Sequence, residues 1–434
     1  MSPSTPQTPT EPYNIICIGF GVSGLSIAIA LQERSPQSKV LFIEKEKKKP
    51  WQPGLEIPGA RMRSSLMQDL VTTRNPRSKF TFVNYLHTTQ QLLPFTNLGS
   101  LRAPREQFGK YLAWCAANFD HQVRHGLEAT SIEPKKGLKG IVEGWSVFCR
   151  VSQTGQTLTF STKRVICATG PVPNIPRALA NPQVFPSVIH SSSYPQIVLR
   201  LEEQPNSNKN IAIIGGNQHA AEIFEHLQSL PGSHCATIFI YDAFLYPNTD
   251  HGFTGDIMHP TQGAFAHLPP ELRRRTILQK GRDEPPTVDL ALIERLYELQ
   301  AEQKAHSPDP AKQRSKIAAL HELVGAESMD GKVQLRFQDS KTGVPLQTPE
   351  GFDFVIASTG YKHDWHTRLL TQSTKELFDG KDMTVGGDYG VNFRRGAVRS
   401  GCGVYVLGAM PSEDDVSGFF CSDAGFQSDE LTVM

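Results

Sequence analysis

The stretch Asn14-Ile-Ile-Cys-Ile-Gly19-Phe-Gly21-Val-Ser-Gly24 decides the fold. An apolar strand runs straight into a Gly-x-Gly-x-x-Gly loop. Leu25, Ile27, Ala28 and Leu31 then follow helical spacing to about Gln32. A second strand, Lys39-Val-Leu-Phe-Ile-Glu44, ends on an acid. Strand, glycine loop, helix and strand in this order open a dinucleotide-binding unit. Gly19 allows the tight turn, Gly21 lets the backbone approach a pyrophosphate, and Gly24 lets the helix pack closely on the strand. Glu44 follows Gly24 by 20 residues, where a carboxylate can bind ribose hydroxyls. The helix N-terminus adds favourable charge for the pyrophosphate. The plainer reading is a glycine-rich turn in any α/β protein. The strand, the spacing and the acid together disfavour it.

The same grammar recurs about 200 residues later. Asn210-Ile-Ala-Ile-Ile214 leads into Gly215-Gly216-Asn217-Gln218-His219-Ala220. A helix with Ile223, Phe224 and Leu227 on one face follows, then the strand Ala236-Thr-Ile-Phe-Ile240. This copy is weaker, because Asn217 and Ala220 replace glycines. Asn tolerates positive φ, but its side chain is expected in space a pyrophosphate would want. Tyr241 and Asp242 stand beyond the strand, and no Lys or Arg lies between Asn210 and Arg273. An NADPH site commonly carries an Arg here for the 2′-phosphate. A Rossmann-like domain that no longer binds nicotinamide tightly is an equal reading.

Two further strands run into Thr-Gly, Arg164-Val-Ile-Cys-Ala-Thr-Gly170 and Phe354-Val-Ile-Ala-Ser-Thr-Gly360-Tyr361. Their bracketing implies that the second unit is inserted into the first. The expected fold is α/β, with two Rossmann-like dinucleotide-binding domains and the nicotinamide-type one inserted. Expected limits are a disordered tail over 1–12, the first domain over 13–195 and 345–434, and the insert over 196–344. Residues 302–316 are polar and broken by prolines, and read as an exposed loop.

The chain has 434 residues, with Lys+Arg 44 against Asp+Glu 43 and a net charge of +1. That balance argues against binding nucleic acid or anionic lipid by bulk charge. Hydrophobic residues at 38% suffice for a real core, which excludes wholesale disorder. The seven cysteines form no CxxC pair, so neither a disulfide framework nor a zinc site is expected. No metal site is expected among the histidines. No apolar run approaches the roughly 18 residues of a membrane span. A cytoplasmic location is the default expectation.

The segment Trp51 to Leu86 carries the most specific pattern. It includes Gly54, Asp69-Leu70, Arg74-Asn75-Pro76-Arg77-Ser78 and Phe80-Thr-Phe82 with Asn84-Tyr85-Leu86-His87. Propensity alone reads it as a loop, a short helix and packing around the first domain. Together with the Gly19–Gly24 loop, Pro94-Phe-Thr-Asn-Leu98, Arg105, Trp114-Cys115-Ala116, His190-Ser191-Ser192, Tyr194, Gln218, Ala220-Ala-Glu-Ile-Phe224 and Thr359-Gly360-Tyr361, it resembles the fungal branch of the L-ornithine N-monooxygenases. These are flavoprotein N-hydroxylases of hydroxamate siderophore pathways. The resemblance spans about residues 12–420 and is densest in the first 120.

The resemblance implies a reaction and a set of sites. NADPH reduces FAD, O2 gives a C4a-hydroperoxyflavin, and a neutral primary amine takes the distal oxygen. The first domain then holds FAD and the insert holds NADPH. Implied cofactor-binding positions are Gly19, Gly21, Gly24, Glu44, Lys45, Trp51, Met62, Arg63, Arg105, Gly215, Gly216, Asn217, Gln218, Tyr361 and Gly408. Implied substrate positions are Gln68, Phe253, Gly255, Ser417 and Phe419. The implied partners are an amine and O2, and the implied assembly is a homo-oligomer, a tetramer or dimer.

Four departures from the family bear on the substrate and the flavin. Arg63 stands where the family has Gln beside the flavin edge, and is the one candidate catalytic residue. Gln68 replaces the Lys that takes the ornithine carboxylate. A neutral amide cannot make that charge-assisted contact, worth roughly 1.5–3 kcal/mol. Gly255 and Glu284 replace substrate-holding Asn residues. Asp415 to Ser422 keeps only two serines, Ser417 and Ser422; Phe419 and Phe420 would line a more apolar pocket, and a surface loop is an equal reading. The leading expectation is therefore an FAD-dependent N-hydroxylase for an amine other than ornithine. The alternatives are a flavoenzyme that has lost efficient NADPH use, as an oxidase or a catalyst of non-redox rearrangement, and a non-catalytic FAD-binding protein.

Overall fold

The structure, a computed structural model, describes residues 12–47, 57–62, 64–204, 207–248, 272, 286–309, 312–347, 351–362, 366–386 and 388–407. The opening stretch forms β1 (Tyr13–Ile18), α1 (Val22–Arg34) and β2 (Val40–Glu44). Ile15 to Ile18 are all buried, as expected of a parallel strand covered on both faces. After α2 (Phe82–Thr88), α3 (Leu92–Thr96) and α4 (Arg105–Ala116) come β3 (Val123–His125), β4 (Leu127–Lys136), β5 (Val142–Val151) and β6 (Thr157–Cys167).

Strand β6 organises the first sheet. Its first half pairs antiparallel with β5, from Arg150↔Thr157 to Trp145↔Thr162. Its second half pairs parallel with β1, Cys17 opposite Ile166. The sheet order is β3-β2-β1-β6-β5-β4, and the late strand Gly403–Val406 also lies parallel against β6. Leu25, Ile27 and Ile29 of α1 are fully buried against this sheet.

An aromatic cluster beside the sheet fixes the segment that carried the strongest resemblance. Phe82 meets Tyr111 edge-on at 5.2 Å and stacks on Phe108 at 5.8 Å. The Tyr111 hydroxyl donates to the Phe80 carbonyl at 2.8 Å. Asp69 is wholly buried. Its carboxylate accepts from Val71 N, Thr72 N, Thr72 Oγ1 and Phe82 N. One acid thus ties the loop to the start of α2. Burial raises its pKa, and those hydrogen bonds oppose the rise.

The chain then crosses through β7 (Val172–Pro173) to β8 (Val188–His190), α5 (Tyr194–Glu202), β9 (Asn210–Ile214), α6 (Gln218–Ser229) and β10 (Cys235–Phe239). Further on are β11 (Tyr246–Pro247), β12 (Thr287–Val288), α7 (Leu290–His306) and β13 (Ser315–Ala318). The ribbon β14 (His321–Met329) with β15 (Lys332–Asp339) precedes β16 (Phe354–Ala357) and β17 (Tyr361–Lys362). The second sheet is parallel throughout, ordered β13-β10-β9-β16-β8.

The strands of this sheet run from Val188 to Ala357, a wider span than the insert expected over 196–344. The three residues of β8 are too few to show a period. The two chain crossings meet in a small antiparallel ribbon, Tyr361 opposite Pro173. The expected loop over 302–316 also differs. Helix α7 continues through His306, and Ser315 opens β13. Glu302 to His306 contain no breaker, so the helix ends only before Pro308. Among the described residues, no helix is long and apolar enough to cross a membrane.

Candidate active site

The two glycine loops are built alike. Gly19 has φ +98°, and a Cβ there would stand 2.3 Å from the Ala168 carbonyl oxygen at the end of β6. Gly215 has φ +129°, and its Cβ would stand 2.3 Å from the Ser358 oxygen at the end of β16. Each loop therefore turns against the backbone leaving the neighbouring strand, and only glycine fits. A Cβ on Gly24 would meet the Gly19 oxygen at 2.3 Å, which is the close helix packing expected.

Gly21 is different. A Cβ there meets no protein atom within 4 Å, and no side chain caps the N-terminus of α1. The loop leaves open space in front of backbone donors at a helix start, as a dinucleotide pyrophosphate requires. Glu44 is fixed beside it. Its Oε2 accepts from Phe20 N at 2.8 Å and its Oε1 from Glu46 N at 2.9 Å. A carboxylate oxygen with one such bond keeps a lone pair for a ribose hydroxyl. Lys45 is exposed. Met62 is partly buried on the first core, with its N–H donated to Ala103 O at 2.8 Å. These residues fit an FAD adenosine and pyrophosphate.

The second loop corrects one expectation. Asn217 has φ −89°, so tolerance of positive φ is not what admits it. It is the N-cap of α6. Its Oδ1 accepts from Ala220 N at 2.9 Å and from Ser358 Oγ at 2.9 Å, and its Nδ2 donates to Ser358 O at 2.7 Å. Both polar ends are engaged by the protein. The cap takes one first-turn N–H of the helix and leaves the loop anchored by Gly215. Gly216 packs on Ile240, with a Cβ position 3.1 Å from its Cγ2.

A buried polar network joins the second loop to the start of α4. Arg105, the first residue of α4, pairs with Glu222 of α6 through two bonds of 2.6 and 3.0 Å. Their side chains are only 13% and 6% exposed. The Arg105 N–H also donates to Ala60 O at 3.0 Å. Gln218 Nε2 donates to Glu222 Oε1 at 2.8 Å, and Gln218 Oε1 accepts from Asp289 N at 2.7 Å. Asp289 caps α7 through Ala291 N and pairs with Arg102 at 3.0 Å. His219 Nδ1 stands 3.7 Å from Glu222 Oε2. Burial opposes the charge on Glu222, but His219, Arg105 and Gln218 outweigh it and hold the carboxyl below its usual range.

Tyr361 lies beside this network on β17, edge-on to His190 at 4.8 Å. His190 Nε2 faces the Gly360 carbonyl at 2.9 Å and so carries the ring proton, while Nδ1 accepts from Ser192 N and Oγ. Burial chiefly lowers the pKa of His190, and the Gly360 contact only partly offsets it.

Lys45 and Met62 aside, the sequence-derived candidates thus fall into four groups. Gly19, Gly21, Gly24 and Glu44 come together at one loop. Arg105, Gly215, Gly216, Asn217, Gln218 and Tyr361 gather around the other. Gln68 is exposed, its Oε1 turned back to accept from Ser65 N at 3.3 Å. Trp51, Arg63, Phe253, Gly255, Glu284, Gly408, Ser417 and Phe419 lie outside the described residues. Glu222, Asp289 and His190 were not anticipated as site residues. An acid on the buried face of an otherwise apolar helix was the available signal for Glu222.

Comparison with known proteins decides the family. The sequence model of the L-lysine 6-monooxygenase/L-ornithine 5-monooxygenase family matches residues 11–363. The chain belongs to that family. The L-ornithine N(5)-monooxygenase of Ajellomyces capsulatus is 33% identical over 425 residues, covering 96% of this chain and 90% of that protein. The L-ornithine N(5)-oxygenase of Arthrobotrys oligospora is also 33% identical, covering 96% and 87%. Among solved structures, the reduced form of the ornithine hydroxylase from Pseudomonas aeruginosa superposes with a TM-score of 0.86 at 29% identity, covering 98% of both chains. The chain is therefore a flavin-dependent monooxygenase of the N-hydroxylating type, with the two-domain α/β fold expected. Within such a monooxygenase, the Arg105–Glu222 pair ties the start of α4 to the helix that follows the Gly215–Gln218 loop.

Proposed function

We propose that this monooxygenase N-hydroxylates a primary amine or amino-acid-derived metabolite other than L-ornithine, with NADPH as reductant. The observation that carries the substrate reading is Gln68. It stands where ornithine enzymes of the family place a Lys, and its amide oxygen is engaged by Ser65 N. A neutral side chain tied into its own turn offers no counter-charge to an α-carboxylate. The replacements Gly255 and Glu284 support the same reading from the sequence.

Bound FAD supplies the activation of O2 and the oxygen delivered to nitrogen. The chain's own residues bind and orient. The open Gly21 loop and the α1 N-terminus receive the pyrophosphate, and Glu44 receives the ribose. The Arg105–Glu222 pair holds the start of α4 against α6, the helix that the second glycine loop opens. No general base is needed if the amine arrives neutral, so positioning and exclusion of water dominate.

The reading with NADPH is preferred over loss of nicotinamide use. The amide of Asn217 acts as a helix cap, and Gly215 keeps the tight turn. Anaerobic NADPH should bleach the flavin of the purified yellow protein. Gln68→Lys should raise turnover of L-ornithine relative to the native chain. No bleaching by NADPH or NADH, or native turnover of ornithine that Gln68→Lys leaves unchanged, contradicts the proposal.

A further inference from the structure

The first turn beyond β10 carries no Lys or Arg of its own, yet a cation reaches it from another segment. Tyr241 follows the strand and is 51% exposed. The ammonium of Lys341 lies over its ring, 6.0 Å from the centroid. Lys341 sits in the turn after β15, 100 residues further along the chain.

That turn is pinned to the end of β10. Ser340 Oγ donates to Tyr241 O at 2.6 Å. His321 N donates to Ile240 O at 2.9 Å, and Leu320 N to Asp242 O at 3.0 Å. Ser340 N closes the set on Leu320 O at 3.0 Å. The one acid of the turn, Asp339, is turned onto the turn's own donors. Its Oδ1 accepts from Lys341 N, Thr342 N and Thr342 Oγ1. Among the described residues, no carboxylate pairs with the Lys341 ammonium.

We propose that Lys341, held over Tyr241, reads the 2′-phosphate of the nicotinamide dinucleotide and makes this chain select NADPH over NADH. The assignment rests on the reading of the insert as an NADPH domain. In a Rossmann unit the adenosine ribose lies beyond the end of the second strand, where an acid alone selects the free 2′-hydroxyl and a cation accepts the 2′-phosphate. Asp242 supplies the acid here, and Lys341 supplies the opposing charge. Gly216 against Ile240 places this strand end directly beside the glycine loop. Tyr241 gives the ammonium a fixed position and an apolar face for the adenine.

The test is equilibrium binding of 2′,5′-ADP and of 5′-AMP to the FAD-loaded full chain, independent of turnover. The native protein should bind 2′,5′-ADP more tightly, with an affinity that falls as salt is raised. Lys341→Gln should weaken 2′,5′-ADP by about tenfold, the loss of one charge-assisted contact, and leave 5′-AMP unchanged. Lys341→Arg should keep the preference. Equal loss of both nucleotides, or no loss of either, overturns the assignment while leaving nicotinamide use intact. Binding of neither probe or of NADPH to the native protein removes the NADPH reading itself, and the assignment with it.

Discussion

Glu222→Gln is the perturbation whose cost can be worked most fully from the structure. Three donors converge on this carboxylate, Arg105 Nη1 and Nη2 and Gln218 Nε2, at 2.6, 3.0 and 2.8 Å. A carboxylate accepts all three, whereas an amide offers one oxygen and turns its own N–H toward a donor. The substitution also strands the Arg105 charge at 13% side-chain exposure. Removing one partner of a buried pair costs about 3–5 kcal/mol. One surviving hydrogen bond places the expected loss near 3 kcal/mol, about a hundredfold in equilibrium. Urea unfolding followed by both far-UV dichroism and flavin release measures it. Arg105→Met should cost as much, and the double variant Arg105→Met/Glu222→Gln should recover most of the loss, since no buried charge is then left unpaired. A Glu222→Gln midpoint within 0.5 kcal/mol of native, about the error of such measurements, would refute the reasoning. So would single-variant losses that simply add in the double.

Two other substitutions probe the flavin loop and the crossing ribbon. Gly21→Val should fold normally and purify colourless, because a Cβ there meets only open space. Retained flavin would show that the pyrophosphate lies elsewhere, and Gly19→Ala should instead destabilise the fold itself. For His190, burial lowers the ring's pKa in the folded chain, so the unfolded state binds more protons near pH 6. The stability it contributes is complete above about pH 6.5 and is lost as pH falls below it. Unfolding midpoints should decline from pH 7 to 5.5, less steeply in His190→Gln. A rise over that range contradicts the sign.

How much was legible in the sequence differs from residue to residue. Gly19 and Gly24 announced their roles because a tight turn and a close helix each demand one residue type at one spacing. Gly215 was equally legible, for the same backbone reason. Asn217 was misread: its cap bond from Ala220 N is local, but its second anchor, Ser358, lies 141 residues away, and spacing says nothing about such a partner. Lys341 was missed for the same cause. A search for a cation near the end of β10 scans neighbours in the chain, while the ribbon β14–β15 brings its turn back to Tyr241 in space. The edge strand β8 escaped notice because three residues carry no period. Glu222 was quoted within a motif, but only the fold revealed Arg105 opposite.

As proposed above, this flavin monooxygenase delivers oxygen to the nitrogen of an amine other than ornithine. Hydroxylamine formed per NADPH consumed, measured across a panel of primary amines that includes L-ornithine, tests it most directly. Near-stoichiometric hydroxylamine is expected with at least one amine lacking the ornithine carboxylate, and little or none with ornithine. Ornithine as the best substrate, or hydrogen peroxide alone with every amine, would contradict it.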